Sequence, residues 1–232
     1  MSSLISMGQK AKEASYELGV ASPGQKNEAL TFMAEELIKA KEEIIKANEI
    51  DRQNAIKKGI TDALLDRLSL DDSRIEAMAQ GLLDIVKLQD PVGEVTNMWQ
   101  MPNGLQIGQK RVSIGVLGII YESRPNVTSD AAGLCLKSGN AVILRGASDA
   151  INSNKAVAKA LVAGIKRSGL PQDCVQLLED TSRETAREMM RLNDYIDVLI
   201  PRGGAGLIKS VVQNATVPVI ETGTGNCHIF VD

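Results

Sequence analysis

Apolar residues recur at helical spacing through the first ninety residues of the chain. One stripe runs over residues 30–45 and a second over residues 75–86, ahead of Pro91. The first stripe comprises Leu30, Met33, Ala34, Leu37, Ile38, Ile44 and Ile45, and the second comprises Ile75, Met78, Ala79, Leu82, Leu83 and Val86. Stripes of this kind are typical of amphipathic helices that pack on a core. We therefore predict a helical segment over residues 1–90.

Capping residues give the predicted boundaries of these helices. Ser22 stands at an N-cap position, Pro23 at the first helical position and Gln25 three residues after the cap, which is a capping-box arrangement. Gly59 is predicted to end the first helical run. Thr61 is then the predicted N-cap of the next helix.

The pattern changes over residues 91–111. Asn103 and Gly104 lie between two short extended segments, a strong local signal for a β-hairpin. A two-stranded hairpin is marginally stable on its own in water. We therefore predict that it pairs with another sheet, either in this chain or in a partner subunit. The second alternative makes the hairpin an oligomerisation element and the protein a homo-oligomer.

From residue 112 onward, apolar β-branched runs alternate with amphipathic stretches. Continuous apolar strands separated by helices are typical of βαβ units and of a parallel sheet covered on both faces. The predicted strands are 112–120, 141–144, 175–178, 198–200 and 217–220, and the predicted helices are 129–137, 152–167, 183–191 and 204–212. The fold class is therefore predicted as α/β, with a Rossmann-like parallel sheet over residues 112–232, a helical segment before it and a protruding β-hairpin.

Composition excludes several classes of protein. The 232 residues carry a formal net charge of −3, and aromatic residues make up 3%, so the sequence predicts no nucleic-acid partner. The longest apolar run, VSIGVLGII, is far shorter than the roughly 20 residues that a membrane-spanning helix needs. The N-terminus lacks the layout of a secretory signal. The three cysteines form neither a disulfide framework nor a zinc pattern, so we predict a cytoplasmic protein without a metal or a membrane anchor.

In parallel sheets, ligands bind beyond the carboxyl ends of the strands, so the residues after each strand are the candidates for a site. After the first strand comes YESRPN, where Pro125 disfavours a helical conformation for Arg124. Asn126 then stands near the start of the next helix. Its side chain is either an N-cap or an amide that is free to donate to a ligand.

Three further strand ends carry candidate chemistry. Arg145, after the second strand, suits phosphate or ribose hydroxyls, or is an ordinary solvated arginine. Gly203 and Gly204, after the fourth, lead into a helix and form either an anion site or a tight turn. They match neither the G-x-G-x-x-G fingerprint nor a P-loop. Glu221, after the fifth, is a candidate acid or base. These residues predict an anionic cofactor at the sheet edge and do not name a reaction.

Three long segments resemble one family. GIIYESRPNVTSDAAGLCLKSGNAVILRGASDAINSNKA, IDVLIPRGGAGLI and VIETGTGNCHIFVD are similar to segments of the gamma-glutamyl phosphate reductases, also called glutamate-5-semialdehyde dehydrogenases, within the aldehyde dehydrogenase superfamily. The resemblance covers the whole chain. It implies an aldehyde dehydrogenase-like cofactor domain and the NADPH-dependent reduction of gamma-glutamyl phosphate to glutamate 5-semialdehyde, with release of phosphate, in proline biosynthesis.

The resemblance also implies roles for residues near the substrate. Asn126 matches the superfamily asparagine whose amide holds the oxyanion of the tetrahedral intermediate. Glu221 matches a glutamate that many members use to activate water. In a reductase that discharges an acyl phosphate, such a base would hydrolyse the intermediate, which argues against that role here. Arg124 is taken as the candidate for binding the substrate's carboxylate.

The remaining matches imply a cofactor site for NADP(H). Arg145 matches a lysine that contacts the adenosine ribose, and Ser148 falls where NAD-preferring relatives place a glutamate that repels a 2′-phosphate. Asp149, beside it, weakens that argument for NADP. The other residues matched to the cofactor site are Tyr121, Ser123 and Pro125 at the nicotinamide, Gly203 and Gly204 near the pyrophosphate, and Thr222 and Gly223.

Cys227 stands beside His228, the only histidine of the chain. In an extended segment their side chains point to opposite faces, so we do not predict a nucleophile and base pair. Cys135 and Cys174 are predicted to be packing residues. The resemblance implies that the family nucleophile, which forms a thioester, lies in a catalytic domain beyond residue 232. We therefore expect this chain to be inactive alone.

Two alternatives to a truncated reductase stay open at this point. One is a non-catalytic nucleotide-binding or interaction module derived from the family. The other is a bifunctional pyrroline-carboxylate synthase, which the absence of a kinase segment in this chain disfavours. The resemblance also raises association with the upstream glutamate 5-kinase, on which the sequence gives no information.

Overall fold

The computed structural model describes residues 3–221 and residue 223. Two short 3₁₀ turns span Ser148–Ala150 and Gln172–Cys174. Within the described residues the elements are α1 (Ser3–Gly19), α2 (Pro23–Lys39), α3 (Lys41–Lys57), α4 (Asp62–Leu68), α5 (Asp72–Lys87), β1 (Val95–Gln100), β2 (Gln106–Lys110), β3 (Val116–Tyr121), α6 (Asn126–Lys137), β4 (Ala141–Arg145), α7 (Ile151–Arg167), β5 (Val175–Leu177), α8 (Arg183–Met189), β6 (Val198–Arg202) and α9 (Ala205–Asn214).

The predicted capping box at the start of α2 is confirmed. The Ser22 hydroxyl accepts from the N–H of Gln25, and the Gln25 side chain accepts from the N–H of Ser22. Gly59, with φ of +72°, follows the end of α3 as predicted. Thr61 occupies the N-cap position of α4, but its side chain makes no capping hydrogen bond.

One helix boundary was missed. The first stripe was predicted as a single helical run, whereas α2 ends and α3 begins at Ala40. The consequence is visible at Ile38, which is 43% exposed although the stripe places it inward. Ala40 and Lys41 are good helix formers, so no local signal marks the break, and α3 turns to pack on α7 and α4.

The parallel sheet has the strand order β5-β4-β3-β6. Helices cover both of its faces. The hydroxyl of Tyr121 contacts Thr128 of α6, whereas a Cβ atom on Gly118 would lie 2.9 Å from the side chain of Met189, the last residue of α8. Residues three apart on a strand point to opposite faces, so α6 and α8 lie on opposite sides. The predicted fold class is confirmed.

Two predicted strands are shorter than expected. The first begins at Val116 instead of residue 112, because the Asn140 side-chain oxygen accepts from the N–H groups of Ile114 and Gly115 and replaces a strand partner there. The last, 217–220, is reduced to one parallel bridge between Leu199 and Val219 within the described residues. The proline at position 218 lacks the N–H that a longer ladder would use.

The hairpin of β1 and β2 is confirmed. Gly104 has a φ of +85°, and its N–H donates to the carbonyl of Met101, so the loop turns where the sequence predicted. Within the described residues it forms a two-stranded sheet of its own, separate from the parallel sheet. The alternative that the hairpin pairs with another sheet of this chain was therefore wrong for the described strands. Contact with a partner subunit stays a prediction.

The helical segment and the α/β part share one hydrophobic core. Its buried residues extend from Leu4 of α1 through α2 and α5 to the central strands and Val217. α2 packs on both α5 and α7, which ties the first ninety residues to the sheet. Among the described helices, none has the length and apolarity that a bilayer crossing requires.

Candidate active site

The carboxyl ends of β3 and β6 form the edge at which a ligand is expected. The chain proceeds from β3 outward to β4 and β5, then returns to place β6 on the other side of β3. β3 is therefore a topological switch point, where open α/β sheets bind their ligands. In register, Tyr121 at the end of β3 pairs with Arg202, and Ile120 pairs with Arg145. Three of the predicted loops thus meet at one edge.

A carboxylate lies in the glycine turn after β6. The backbone N–H of Gly204, the N-cap residue of α9, donates to Oε1 of Glu122 at 3.0 Å. A Cβ atom on Gly203 would lie 2.6 Å from Cδ of Glu122, so glycine is required for this approach. The predicted anion site therefore holds an anionic group of the protein itself. Sequence reasoning missed Glu122, although a carboxylate directly after β3 was visible.

Two cavities adjoin this turn. The first, of about 340 Å³, is lined by Arg67, Glu122, Arg124, Val127, Arg202, Gly203 and Gly204. The second, of about 480 Å³, is lined by Asp66, Arg67, Ser69, Leu70, Arg74, Ala77, Met78, Arg124, Asn126 and Asp130. Arg67 and Arg124 line both, so the two cavities meet at these side chains. Both volumes are in the range of small-molecule sites.

Asn126 lines the second cavity. It is the first residue of α6, whose N-cap position is taken by Pro125, so the alternative of an N-cap asparagine is wrong. Its side-chain amide donates to Oδ2 of Asp130 at 3.2 Å. Desolvation raises the pKa of Asp130, while the Asn126 amide and the charge of Arg202 oppose that rise. Asp130 thus orients the amide toward the cavity wall and leaves its second N–H available.

Tyr121 faces the protein interior. Its hydroxyl contacts Oγ1 of Thr128 at 2.8 Å, and Thr128 donates to Oδ1 of Asn154 at 3.1 Å. Burial raises the pKa of the Tyr121 hydroxyl. Of the other residues matched to the nicotinamide, Pro125 is buried and Ser123 is half-buried. These residues shape the loop after β3, and a ligand would meet the loop's backbone more readily than the tyrosine hydroxyl.

Arg145 bridges the end of β4 to the loop before α8. Its Nη2 atom donates to the carbonyl oxygens of Thr181 and Ser182 at 2.7 and 3.4 Å. Its Nε atom is buried and has no hydrogen-bond partner among the described residues. The guanidinium therefore fixes the wall of the site and retains one donor.

Ser148 opens the 3₁₀ turn that follows β4. Asp149, next to it, forms an ion pair with Lys58 at 2.6 Å. The negative charge that weakened the argument for NADP is thus compensated by Lys58, the C-cap residue of α3. No local pattern predicts this pair, because its members are 91 positions apart.

The last predicted site residues lie at the edge of the described region. Glu221 is exposed and follows the bridge between Leu199 and Val219. Gly223 is described, and a Cβ atom there would meet no described atom within 4 Å. Thr222, Cys227 and His228 fall outside the described residues.

The two described cysteines are packing residues, as predicted. Cys135 of α6 and Cys174 before β5 are buried and unpaired. Burial raises the pKa of each thiol to about 12. A thiol with such a pKa is a poor nucleophile at neutral pH.

The hydrogen-bond donors at this sheet edge suit an anionic dinucleotide. The turn at Gly203 and Gly204 presents backbone without side chains at the start of α9, and Arg202 and Arg124 line the same cavity. Among the described residues that line this cavity, Glu122 is the one carboxylate, and it opposes such a ligand. Its carboxylate must leave the N–H of Gly204 before a phosphate can accept from it.

The chain is similar over its full length to curated proteins. It is 72% identical over 232 residues to the gamma-glutamyl phosphate reductase of Clostridium beijerinckii and 60% identical over 231 residues to that of Heliobacterium modesticaldum. Each match includes 100% of this chain, but only 56% and 55% of the length of these two relatives. The chain thus spans little more than half of their length. No protein-family model matches it.

Solved structures give the same relationship. A gamma-glutamyl phosphate reductase from Thermotoga maritima superposes with a TM-score of 0.95 at 48% identity, covering 99% of this chain and 55% of that one. The gamma-glutamyl phosphate reductase of Saccharomyces cerevisiae superposes with a TM-score of 0.88 at 32% identity, covering 95% of this chain and 56% of that one. A probable aldehyde dehydrogenase from Listeria monocytogenes superposes with a TM-score of 0.73 at 15% identity, covering 96% of this chain and 46% of that one. At this identity the likeness shows a shared fold alone. Over its whole length the chain is thus similar to gamma-glutamyl phosphate reductases, and it corresponds to somewhat more than half of their length.

Proposed function

We propose that this chain is the cofactor-binding part of a reductase that converts gamma-glutamyl phosphate to glutamate 5-semialdehyde and releases phosphate. The observation that carries the proposal is the loop after β3. It sends Glu122 into the glycine turn and Asn126 into the adjoining cavity, so one short segment touches both the candidate cofactor site and the candidate substrate site. Similarity to named reductases over the whole chain supports the same reaction.

Asn126 has the clearest chemical role in this proposal. When a nucleophile adds to the acyl carbon, negative charge develops on the carbonyl oxygen, and an amide N–H fixed beside it stabilises that charge. Asp130 accepts from one N–H of the same Nδ2 atom, which leaves the other N–H for the oxyanion. The amide is therefore oriented before the substrate binds, which is the condition for effective stabilisation of the transition state.

The nucleophile of the proposed reaction comes from the rest of the complete protein. Cys135 and Cys174 are buried, with thiol pKa values near 12, and neither lines the two cavities. A nicotinamide cofactor supplies the hydride in this reaction class. The part of the protein in this chain binds, orients and neutralises charge.

NADP(H) is the proposed form of the cofactor. A carboxylate at position 148 would accept from a ribose 2′-hydroxyl and repel a 2′-phosphate, and Ser148 does neither. The pairing of Asp149 with Lys58 supports the proposal, because it leaves no uncompensated negative charge beside Ser148. Arg145, which is half-buried, remains the proposed ribose contact.

The assembly and setting of the protein are also proposals. The exposed hairpin of β1 and β2 is proposed to contact a second subunit, because a two-stranded sheet needs additional packing to be stable. A cytoplasmic location in proline biosynthesis, and association with the kinase that forms the acyl phosphate, follow from the same proposed reaction.

The reaction can be tested in reverse with the complete protein that contains this segment. Glutamate 5-semialdehyde and NADP⁺ are supplied with and without inorganic phosphate, and NADPH formation is followed at 340 nm. We expect formation that depends strictly on phosphate. Oxidation of the aldehyde at the same rate without phosphate would show a hydrolytic dehydrogenase and contradict the proposal. The 232-residue chain in the same assay is the control and should be inactive.

A further inference from the structure

Arg67 and Arg124 have no charged partner among the residues that the structure describes. Neither has a side-chain hydrogen bond or an ion pair to any residue within the described part of the chain, and both are exposed to the cavities. Arg74, which lines the same larger cavity, differs. Its guanidinium pairs with Asp66 at 2.6 Å and donates to the carbonyl of Ser69 at 2.8 Å. Arg74 is thus engaged in holding α4 to α5, whereas the other two guanidinium groups remain free.

The two free arginines come from distant parts of the chain. Arg67 lies in the last turn of α4, in the helical segment, and Arg124 lies in the loop after β3. Both line the cavity beside Gly203 and Gly204 and also the cavity beside Asn126. They therefore stand where the candidate cofactor and substrate sites meet.

The carboxylates around these arginines are already occupied. Asp66 pairs with Arg74, Asp130 accepts from Asn126, and Glu122 accepts from the N–H of Gly204. The cavities thus retain excess positive charge, since Arg202 lines the smaller one as well.

We propose that Arg67 and Arg124 bind the anionic oxygens of the substrate at the junction of the two cavities. The inference rests on the proposed function and names the residues that would hold its substrate. Guanidinium groups form paired hydrogen bonds to phosphate and carboxylate oxygens, and these are stronger than bonds between neutral groups. The new element is Arg67, which makes α4 of the helical segment part of the substrate site.

Two groups of the substrate have the required chemistry. Gamma-glutamyl phosphate carries a phosphate at one end and an α-carboxylate at the other, and either would satisfy a pair of guanidinium groups. The reverse reaction separates them, because phosphate and glutamate 5-semialdehyde are then independent substrates, each with its own KM. A rise in one KM alone identifies the group that Arg67 contacts.

The test uses Arg67→Gln and Arg67→Lys in the complete reductase. We expect Arg67→Gln to raise the KM for phosphate or for the semialdehyde at least tenfold, with kcat changed by less than threefold. Arg67→Lys should recover only part of this loss, because an ammonium group cannot make the paired contact. The matched control is Arg187→Gln, which changes an exposed arginine of α8 that lines neither cavity.

Thermal unfolding of each variant separates binding from folding. Arg67 has no side-chain partner to lose within the described residues, so its variants should melt with the parent. Unchanged KM values for both substrates in a folded Arg67→Gln enzyme would overturn the inference and leave the proposed reaction standing. Absence of phosphate-dependent activity in the unsubstituted enzyme would instead remove the proposed function itself.

Discussion

The carboxylate of Glu122 accepts a hydrogen bond from the backbone N–H of Gly204 at 3.0 Å. The N–H belongs to the N-cap residue of α9, where the sequence predicted a site for an anionic cofactor. A side-chain anion thus satisfies the donor in the absence of a ligand. A bound diphosphate and this carboxylate would compete for the same N–H and would repel each other.

Glu122→Gln tests this competition. Glutamine keeps the length of the side chain and an oxygen acceptor for Gly204, but it removes the negative charge beside the proposed pyrophosphate. We expect the variant to bind NADPH several-fold more tightly than the parent, measured by quenching of intrinsic fluorescence or by calorimetry on the 232-residue chain. Weaker binding would show that the carboxylate contributes to the cofactor site instead of opposing the ligand.

The choice between NADP and NAD can be tested at Ser148. Ser148→Glu places a second carboxylate beside Asp149, whose charge Lys58 already compensates. We expect at least a tenfold loss of NADPH affinity and little change for NADH, because only the former carries a 2′-phosphate. Ser148→Ala is the control and should leave both affinities close to those of the parent. Equal losses for both cofactors would argue that the 2′-position does not lie here.

The sequence predicted those features that depend on local chemistry. The capping box at Ser22, the turn at Gly104 and the apolar strands each have a signal within a few residues. The box and the turn were confirmed, and so were four of the five predicted strands, whereas 217–220 is reduced to one bridge within the described residues. The break at Ala40 was missed because it depends on packing between helices.

The candidate site shows the same division between local and distant information. The strand ends at Tyr121 and Arg145 and the turn at Gly203 and Gly204 were predicted to share one edge, and the register of β3 with β4 and β6 brings them together. The Lys58 pair with Asp149 and the arrival of Arg67 at the cavities join residues that are far apart in the chain. A single sequence carries no signal for such contacts.

Asn126→Ala in the complete reductase tests the proposed oxyanion donor. Loss of one such donor typically lowers turnover by about 10²–10³-fold. We expect kcat to fall in that range, with the KM for the cofactor nearly unchanged. Asp130→Ala leaves the amide in place but removes its partner at 3.2 Å, so a smaller fall in kcat is expected. An Asn126→Ala enzyme with parental turnover would exclude the role.

The buried thiols should resist alkylation in the folded protein. Burial raises the pKa of Cys135 and of Cys174 to about 12, so only about one thiol in 10⁴ is ionised at pH 8. The ionised fraction increases only as the pH approaches the raised pKa. At pH 9 both thiols should therefore still be un-ionised and unreactive toward the reagent. Peptide mass spectrometry after iodoacetamide treatment should find both unmodified in the native protein and modified in denaturant. Rapid native modification of either would contradict its placement in the core.

Gly164→Ala should destabilise the protein where α7 crosses α2. A Cβ atom at position 164 would lie 2.4 Å from the backbone N and 2.5 Å from the Cα of Met33. These are backbone atoms of α2, so the collision can be relieved only by moving one helix away from the other. Overpacking of this kind costs about 1–3 kcal/mol, which exceeds the gain of up to about 1 kcal/mol from replacing a helical glycine by alanine.

Gly206→Ala is the matched control, since this glycine lies in α9 and a Cβ atom there meets no described atom within 4 Å. It should leave the free energy of unfolding unchanged or raise it. Urea unfolding followed by circular dichroism gives both values. A lower midpoint for Gly164→Ala alone would confirm that contact between the two helices, more than glycine's flexibility, requires the residue. Equal stability of the two variants would contradict the close approach that joins the helical segment to the sheet.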